Sequence, residues 1–150
     1  MQSLPLITID PTEDEVIAQP AFYHGQPAWQ LLTEEEQVSG CRLYQVHSPG
    51  PSLHLQAGDL VVARPVARNK WSIRDGDYYI LNEQIDAVSD AAGFFKPAFK
   101  AEHLVRVISS EKKRSFLALF GSGNGDEEVI KYRYAALLEL HRLTRLIRTL

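Results

Sequence analysis

DLVVARPV, Asp59–Val66, is a short apolar run entered through the turn Gly58-Asp59. Runs of about four to eight residues rich in Val, Ile, Leu and aromatics, bounded by turn residues, read as strands. Others of this kind stand on both sides. RLYQVH covers Arg42–His47, and DYYILN covers Asp77–Asn82 directly after the turn Arg74-Asp75-Gly76. LVRVIS (Leu104–Ser109) and SFLALF (Ser115–Phe120) flank the charged cluster Ser110–Arg114, which suits a hairpin tip. PLITI (Pro5–Ile9) ends at Asp10-Pro11, and GSGNG (Gly121–Gly125) is a loop signal. This spacing predicts a mainly β fold, a β-rich barrel or sandwich with short helices at most.

Three segments fit that pattern less well. TEEEQ (Thr33–Gln37) opens a short helix, with Thr33 as its cap and Glu36 three residues on. Ala87–Lys100 reads as helix or loop, and Gly93 and Pro97 argue against a long helix. At the C-terminus, Leu137, Leu140, Leu143, Ile147 and Leu150 recur at helical spacing. That spacing describes an amphipathic helix with a basic face.

The 150 residues suit one domain, and 45% hydrophobic residues suffice for a core. The formal net charge is -3, so no global field draws the chain to nucleic acid or anionic lipid. Bases do gather late: Lys131, Arg133, Arg142, Arg145 and Arg148 stand against the single acid Glu139 after residue 130. Cys41 is the lone cysteine, which reads as a small buried hydrophobe rather than part of a disulfide or zinc site. The five histidines lack zinc-site spacing, so no metal and no cofactor are expected. Asp75 and Asp77 read as turn residues, Trp29 and Trp71 as packing anchors, and Tyr78 and Tyr79 as one facing in and one out. The opening MQSLPLITID has neither a basic start nor a long apolar run, and no stretch is long enough to span a bilayer, so a cytoplasmic address is expected.

The order of pieces from Arg42 to Arg106 carries a further signal. Strand Arg42–Val46 is followed by the loop His47–Leu55, the turn Gly58-Asp59 and the strand Leu60–Ala63. Then come the link Arg68-Asn69-Lys70-Trp71, the turn Ile73–Asp77, the strand Tyr78–Leu81 and, later, Leu104–Val107. This order resembles the C-terminal domain of the LexA and phage-repressor family, the S24 serine–lysine self-cleaving peptidases. It covers about two thirds of the chain and rests on order more than on any one motif. The resemblance implies a LexA/signal-peptidase-like β-rich fold over residues 1–150. Residues 1–41 would form an N-terminal arm with a cleavage-loop-like region at Ala18–Tyr23, and 42–150 the core. It also implies that Leu138–Leu143 is a strand, against the helical spacing.

The family's chemistry needs a serine on a strained loop and a desolvated, neutral lysine within hydrogen-bond reach. Ser48-Pro49-Gly50-Pro51 stands where the family has Gly-Asp-Ser-Met, so Gly50 occupies the nucleophile position. The lysine position falls on Val105, or on Arg106 if the register slips by one; valine takes no proton, and arginine stays charged. The fallback candidates are Ser48 and Ser52 as nucleophile and Lys96 and Lys100 as base. The resemblance therefore implies a non-catalytic relative. No helix-turn-helix is legible in Met1–Gln30, so direct nucleic-acid binding is not expected. The expected role is a dimerisation or regulatory interaction module in transcription regulation, as a homodimer or as a mixed dimer with a repressor-like protein. Two alternatives stand beside it. One is a Ser–Lys self-cleaving peptidase with relocated residues. The other is an unrelated β-rich domain that binds a peptide or small ligand through Ala87–Lys100.

Overall fold

Leu60–Ala63 is apolar at four successive positions, and the fold explains why. Val61 and Ala63 pack into one cluster while Leu60 and Val62 pack into another, so the strand is covered on both faces. The structure, a computed structural model, describes residues 7–8, 17–47, 54–85, 87–96, 99–110, 113–121 and 127–148, with backbone alone at strand positions 7, 8, 84, 85, 88, 96, 99–101 and 121.

The chain is mainly β. Four two-residue strands come first: β1 (Ile7–Thr8), β2 (Ile17–Ala18), β3 (Phe22–Tyr23) and β4 (Gln26–Pro27). A short helix α1 (Glu34–Val38) precedes β5 (Arg42–Val46) and β6 (Leu60–Pro65). Then follow β7 (Tyr78–Ile85), the small pair β8 (Val88–Ser89) and β9 (Phe95–Lys96), and the long β10 (Phe99–Ser109). The chain closes with β11 (Ser115–Gly121), β12 (Glu127–Arg133) and β13 (Leu137–Ile147). Helix α1 has the expected capping box: Glu36 N–H donates to Thr33 Oγ1 at 3.1 Å, and Thr33 N–H donates to Glu36 Oε1 at 2.8 Å. Such a cap is worth about 1 kcal/mol.

The main sheet runs β12-β11-β10-β7-β13-β6-β5-β2, with β1 added in parallel to the start of β10. β7, β10, β11 and β12 form a meander; β5 and β6 form a separate antiparallel pair. The last long strand, β13, joins them. Leu137–Arg142 pairs with β7 and His141–Ile147 with β6. The sheet curls. Tyr44 on β5 shares a cluster with Ile80 on β7 and Leu104 on β10, although β6 and β13 stand between them in the sheet. The other face of β7 and β10 carries the largest cluster, in which Tyr79, Leu81, Val105 and Val107 meet Phe116, Tyr132 and Leu140. The third cluster, Ala28, Cys41, Leu43, Leu60 and Val62, lies under Leu31, Leu32 and Ile147.

Several expectations are corrected here. Leu138–Leu143 is strand, as expected, and the helical spacing at the C-terminus belongs to it. β13 has two bulges, between Leu137 and Glu139 and between Leu143 and Arg145, and each places an extra residue against its partner. The extra residue after Leu137 shifts the two-residue alternation, so Leu137 and Leu140 enter the same cluster three positions apart. The basic face also dissolves, because Arg142, Arg145 and Arg148 pair with Asp77, Glu36 and Asp59. Ala87–Lys100 holds the β8–β9 hairpin and the start of β10 instead of a helix; Gly93 takes φ +89° at its turn, where a side chain is strained. Trp29 is 59% exposed and anchors little, whereas the half-buried Trp71 donates from Nε1 to the Val66 carbonyl and stacks beneath Arg68. Tyr79 is buried in the largest cluster, and Tyr78 packs against the second one on the opposite face. Cys41 is buried and free. Among the described residues no helix is long and apolar enough to cross a membrane.

Candidate functional site

The candidate positions named from the sequence fall on β9, on β10 and beyond the end of β5. Val105 lies at the centre of β10, opposite Tyr79 on one side and Phe120 on the other. It is fully buried within the largest cluster. Tyr44 and Val46, the inward residues of β5, belong to the second cluster, on the other face of β10. The β10 residue that shares their cluster is Leu104. Val105 and the end of β5 are therefore turned to different faces. Ser48, Gly50 and Ser52 lie outside the described residues. Lys96 ends β9 and Lys100 sits near the start of β10, paired with Gln84, but their side chains also fall outside the described residues.

A polar row crosses the sheet where the second cluster ends. Glu102 on β10 is opposite Asn82 on β7, which is opposite Glu139 on β13. Asn82 Nδ2 donates to Glu139 Oε2 at 2.7 Å, His141 Nε2 lies 3.2 Å from the same oxygen, and Arg42 is 3.7 Å away. The His141 bond, then Asn82 and the Arg42 charge, hold the Glu139 carboxyl below its usual range, against some desolvation. Tyr44 stands two residues from Arg42 on the same strand. Burial first, then the Glu102 charge, push its phenol up to about 12, with Arg42 opposing. Among the described residues, His141 Nδ1 and Asn82 Oδ1 are buried with no hydrogen-bond partner. A groove of about 230 Å³ opens beside this row, lined by Arg42, Arg68, Trp71, Glu139 and His141 among others. A carboxylate–imidazole pair of this form can orient a base, yet among the described residues no serine, threonine or cysteine lines the groove.

A second imidazole–carboxylate pair lies on the opposite face, where His103 Nε2 is 3.5 Å from Glu83 and edge-on to Phe120. Burial lowers the His103 pKa and raises that of Glu83. Burial above all, with some help from Glu83, also raises the nearby Tyr132 phenol. Among the described residues no group of three or more His, Cys, Asp or Glu side chains is arranged to hold a metal ion.

Beyond the Arg42–Glu139 and Arg142–Asp77 contacts, two closely hydrogen-bonded acid–arginine pairs anchor Arg145 and Arg148 to the rest of the fold. Arg148 grips Asp59 with both ends of its guanidinium, Nε to Oδ1 at 2.9 Å and Nη2 to Oδ2 at 2.8 Å, and Gln56 N–H donates to Oδ2 at 2.7 Å. Arg145 binds both oxygens of the capping Glu36 and also the Leu31 carbonyl. The Arg145 hydrogen bond lowers the Glu36 pKa and the Arg148 bond that of Asp59, each against desolvation. A wide groove of about 520 Å³ lies over Asp59 and Arg148, rimmed by Phe22, Tyr23 and His24.

These shifts set a pH window. Glu36, Asp59 and Glu139 have folded pKa values below their ordinary 4.5, 3.8 and 4.5. Their stabilisation is therefore complete above those values and is lost as pH falls through the lowered ones. Between 6.5 and 4.5, His103 weakens the fold on acidification, because the unfolded chain takes that proton first; Glu83, whose folded pKa is raised, acts in the opposite sense. Thermal melts from pH 7 to pH 3 are expected to show a shallow change above the carboxylate range and a steep fall in Tm within it. In the double variant Glu36→Gln/Asp59→Asn the acid limb should flatten.

Comparison with protein-family models, curated proteins and solved structures finds no match for this chain.

Proposed function

We propose that this chain is a non-catalytic interaction domain of the repressor C-terminal type, which pairs with itself or with a repressor-like partner in transcription regulation. The observation that carries the reading is the environment of Val105. The position aligned with the family's base is an isopropyl group closed in by aromatic and aliphatic side chains, with Tyr79 and Phe120 as its strand neighbours. Leu104, the adjacent position on the face of β5, is equally apolar and buried. The chain is mainly β, as this reading requires.

The test is self-cleavage. Purified protein held at alkaline pH, where a lysine base would be neutral, is expected to stay intact by mass spectrometry over days. Fragments that form in the wild type and vanish in Ser52→Ala or Lys96→Ala would establish the peptidase alternative instead.

A further inference from the structure

The main sheet has two ends, and they are finished differently. At one end β5 is covered by β2 at Gln45 and Val46, and Ala28 packs onto Cys41 and Leu43. At the other end stands β12. It pairs with β11 over seven consecutive residues without a register shift, and among the described residues no strand lies on its other side. An edge strand of this length, with no bulge and no proline, is a template for another strand.

The sequence of β12 says which strand fits. EEVIKYR carries its acids, Glu127 and Glu128, at the start and its bases, Lys131 and Arg133, at the end. A parallel neighbour of the same sequence would set like charge against like. An antiparallel copy sets acid against base in both halves. An axis through Ile130 places Glu127 opposite Arg133 and Val129 opposite Lys131, whose methylene stem can cover the valine. Val129 is 59% exposed, and Leu117 on the adjoining strand is 40% exposed. Both lie on the outer face, because their β11–β12 register partners Leu119 and Lys131 alternate with the inward Phe116, Ala118 and Tyr132.

We propose that the β12 edge is the self-association surface of this protein, and that its occupant is β12 of a second copy, antiparallel about a two-fold axis. This rests on the interaction-domain reading above and names its surface. The contact extends the sheet across both protomers and brings the outer apolar residues of β11 and β12 together. An edge contact of seven residues belongs with small, transient interfaces, so concentration-dependent association is expected.

Charge reversal tests it without touching the core. Lys131→Glu/Arg133→Glu makes the edge wholly acidic; Glu127→Lys/Glu128→Lys makes it wholly basic. In sedimentation velocity the wild type is expected to dimerise with rising concentration. Each variant alone should weaken dimerisation by at least about tenfold, and an equimolar mixture of the two should form a heterodimer. Amide hydrogen exchange on the wild type reads the same surface without a substitution: protection of residues 127–133 should increase with protein concentration. A wild type that is monomeric at every concentration, variants that dimerise like the wild type, or exchange at 127–133 that ignores concentration would each overturn the proposal. Variants that still dimerise remove the edge but leave the interaction-domain reading standing. Self-cleavage at alkaline pH removes the non-catalytic reading and leaves the edge.

Discussion

Val105→Lys is expected to unfold this protein at neutral pH and to be tolerated progressively as pH rises. Val105 is fully buried among Tyr79, Leu81, Val107, Phe116 and Ala118. An ammonium there loses its hydration and finds no carboxylate among the cluster members. Full burial lowers a lysine pKa by as much as 3–5 units from about 10.4, which at pH 7 costs about 4–5 kcal/mol, the limit being the cost of neutralising the amine. That reaches the lower end of the stability of an average domain, about 5–15 kcal/mol. The sign follows from linkage. The folded pKa lies below the unfolded one, so the unfolded chain binds the proton more tightly and stability rises with pH until the free lysine is itself neutral. Chemical denaturation at pH 7 and pH 10 measures the difference. Val105→Met, an apolar change, should cost about 1–3 kcal/mol from overpacking, with no such pH dependence. A lysine variant as stable as the methionine one at pH 7 would mean that the site retains a polar partner for a base. The non-catalytic reading would then lose its main support.

Phe116→Ala is expected to cost about 3–5 kcal/mol, the range for removing a buried aromatic ring from a packed core. Phe116 is 2% exposed, stacks on Tyr132 at 5.5 Å between centroids and meets Tyr134 at the same distance. It joins β11 to β12 and to the turn that leads into β13. Loss of the ring therefore loosens the edge strand as well as the core. Urea unfolding should show a lower midpoint with an unchanged slope if the native state otherwise holds. Leu117→Ala, on the exposed face of the same strand, should stay within about 0.5 kcal/mol of the wild type. A similar cost at both positions would contradict the assignment of faces.

Much of the architecture is legible residue by residue. The runs around Arg42–Val46, Leu60–Pro65, Tyr78–Asn82, Leu104–Ser109 and Ser115–Phe120 are strands, because a β-branched or aromatic run between turn residues has few other ways to bury itself. Thr33 and Glu36 announce their capping box through spacing alone. The turn at Asp75-Gly76 is equally plain: Gly76 has φ +87°, and Asp75 accepts from both the amide and the hydroxyl of Ser110. Less was readable where tertiary contacts alter the local period. β12 is not among the runs read as strands, because Glu127 and Glu128 open it and its apolar Val129 and Ile130 are adjacent rather than alternating. The partners of Glu36, Asp59 and Glu139 were not legible, because Arg145, Arg148 and Asn82 lie 109, 89 and 57 residues away and converge only once β13 is in place.

The amino-acid sequence by itself determined that this chain is a β protein with a real core and a capped short helix. Those properties depend on composition, local period and residue identity, each readable within a few positions. The tertiary structure alone decided that β13 threads between β6 and β7, that its bulges turn a helical-looking leucine spacing into a strand, and that Val105 and the end of β5 face opposite sides of the sheet. The reason is physical. Strand order, bulges and sheet curl are settled by which faces exclude water together, and that is a property of contacts between residues far apart in the chain.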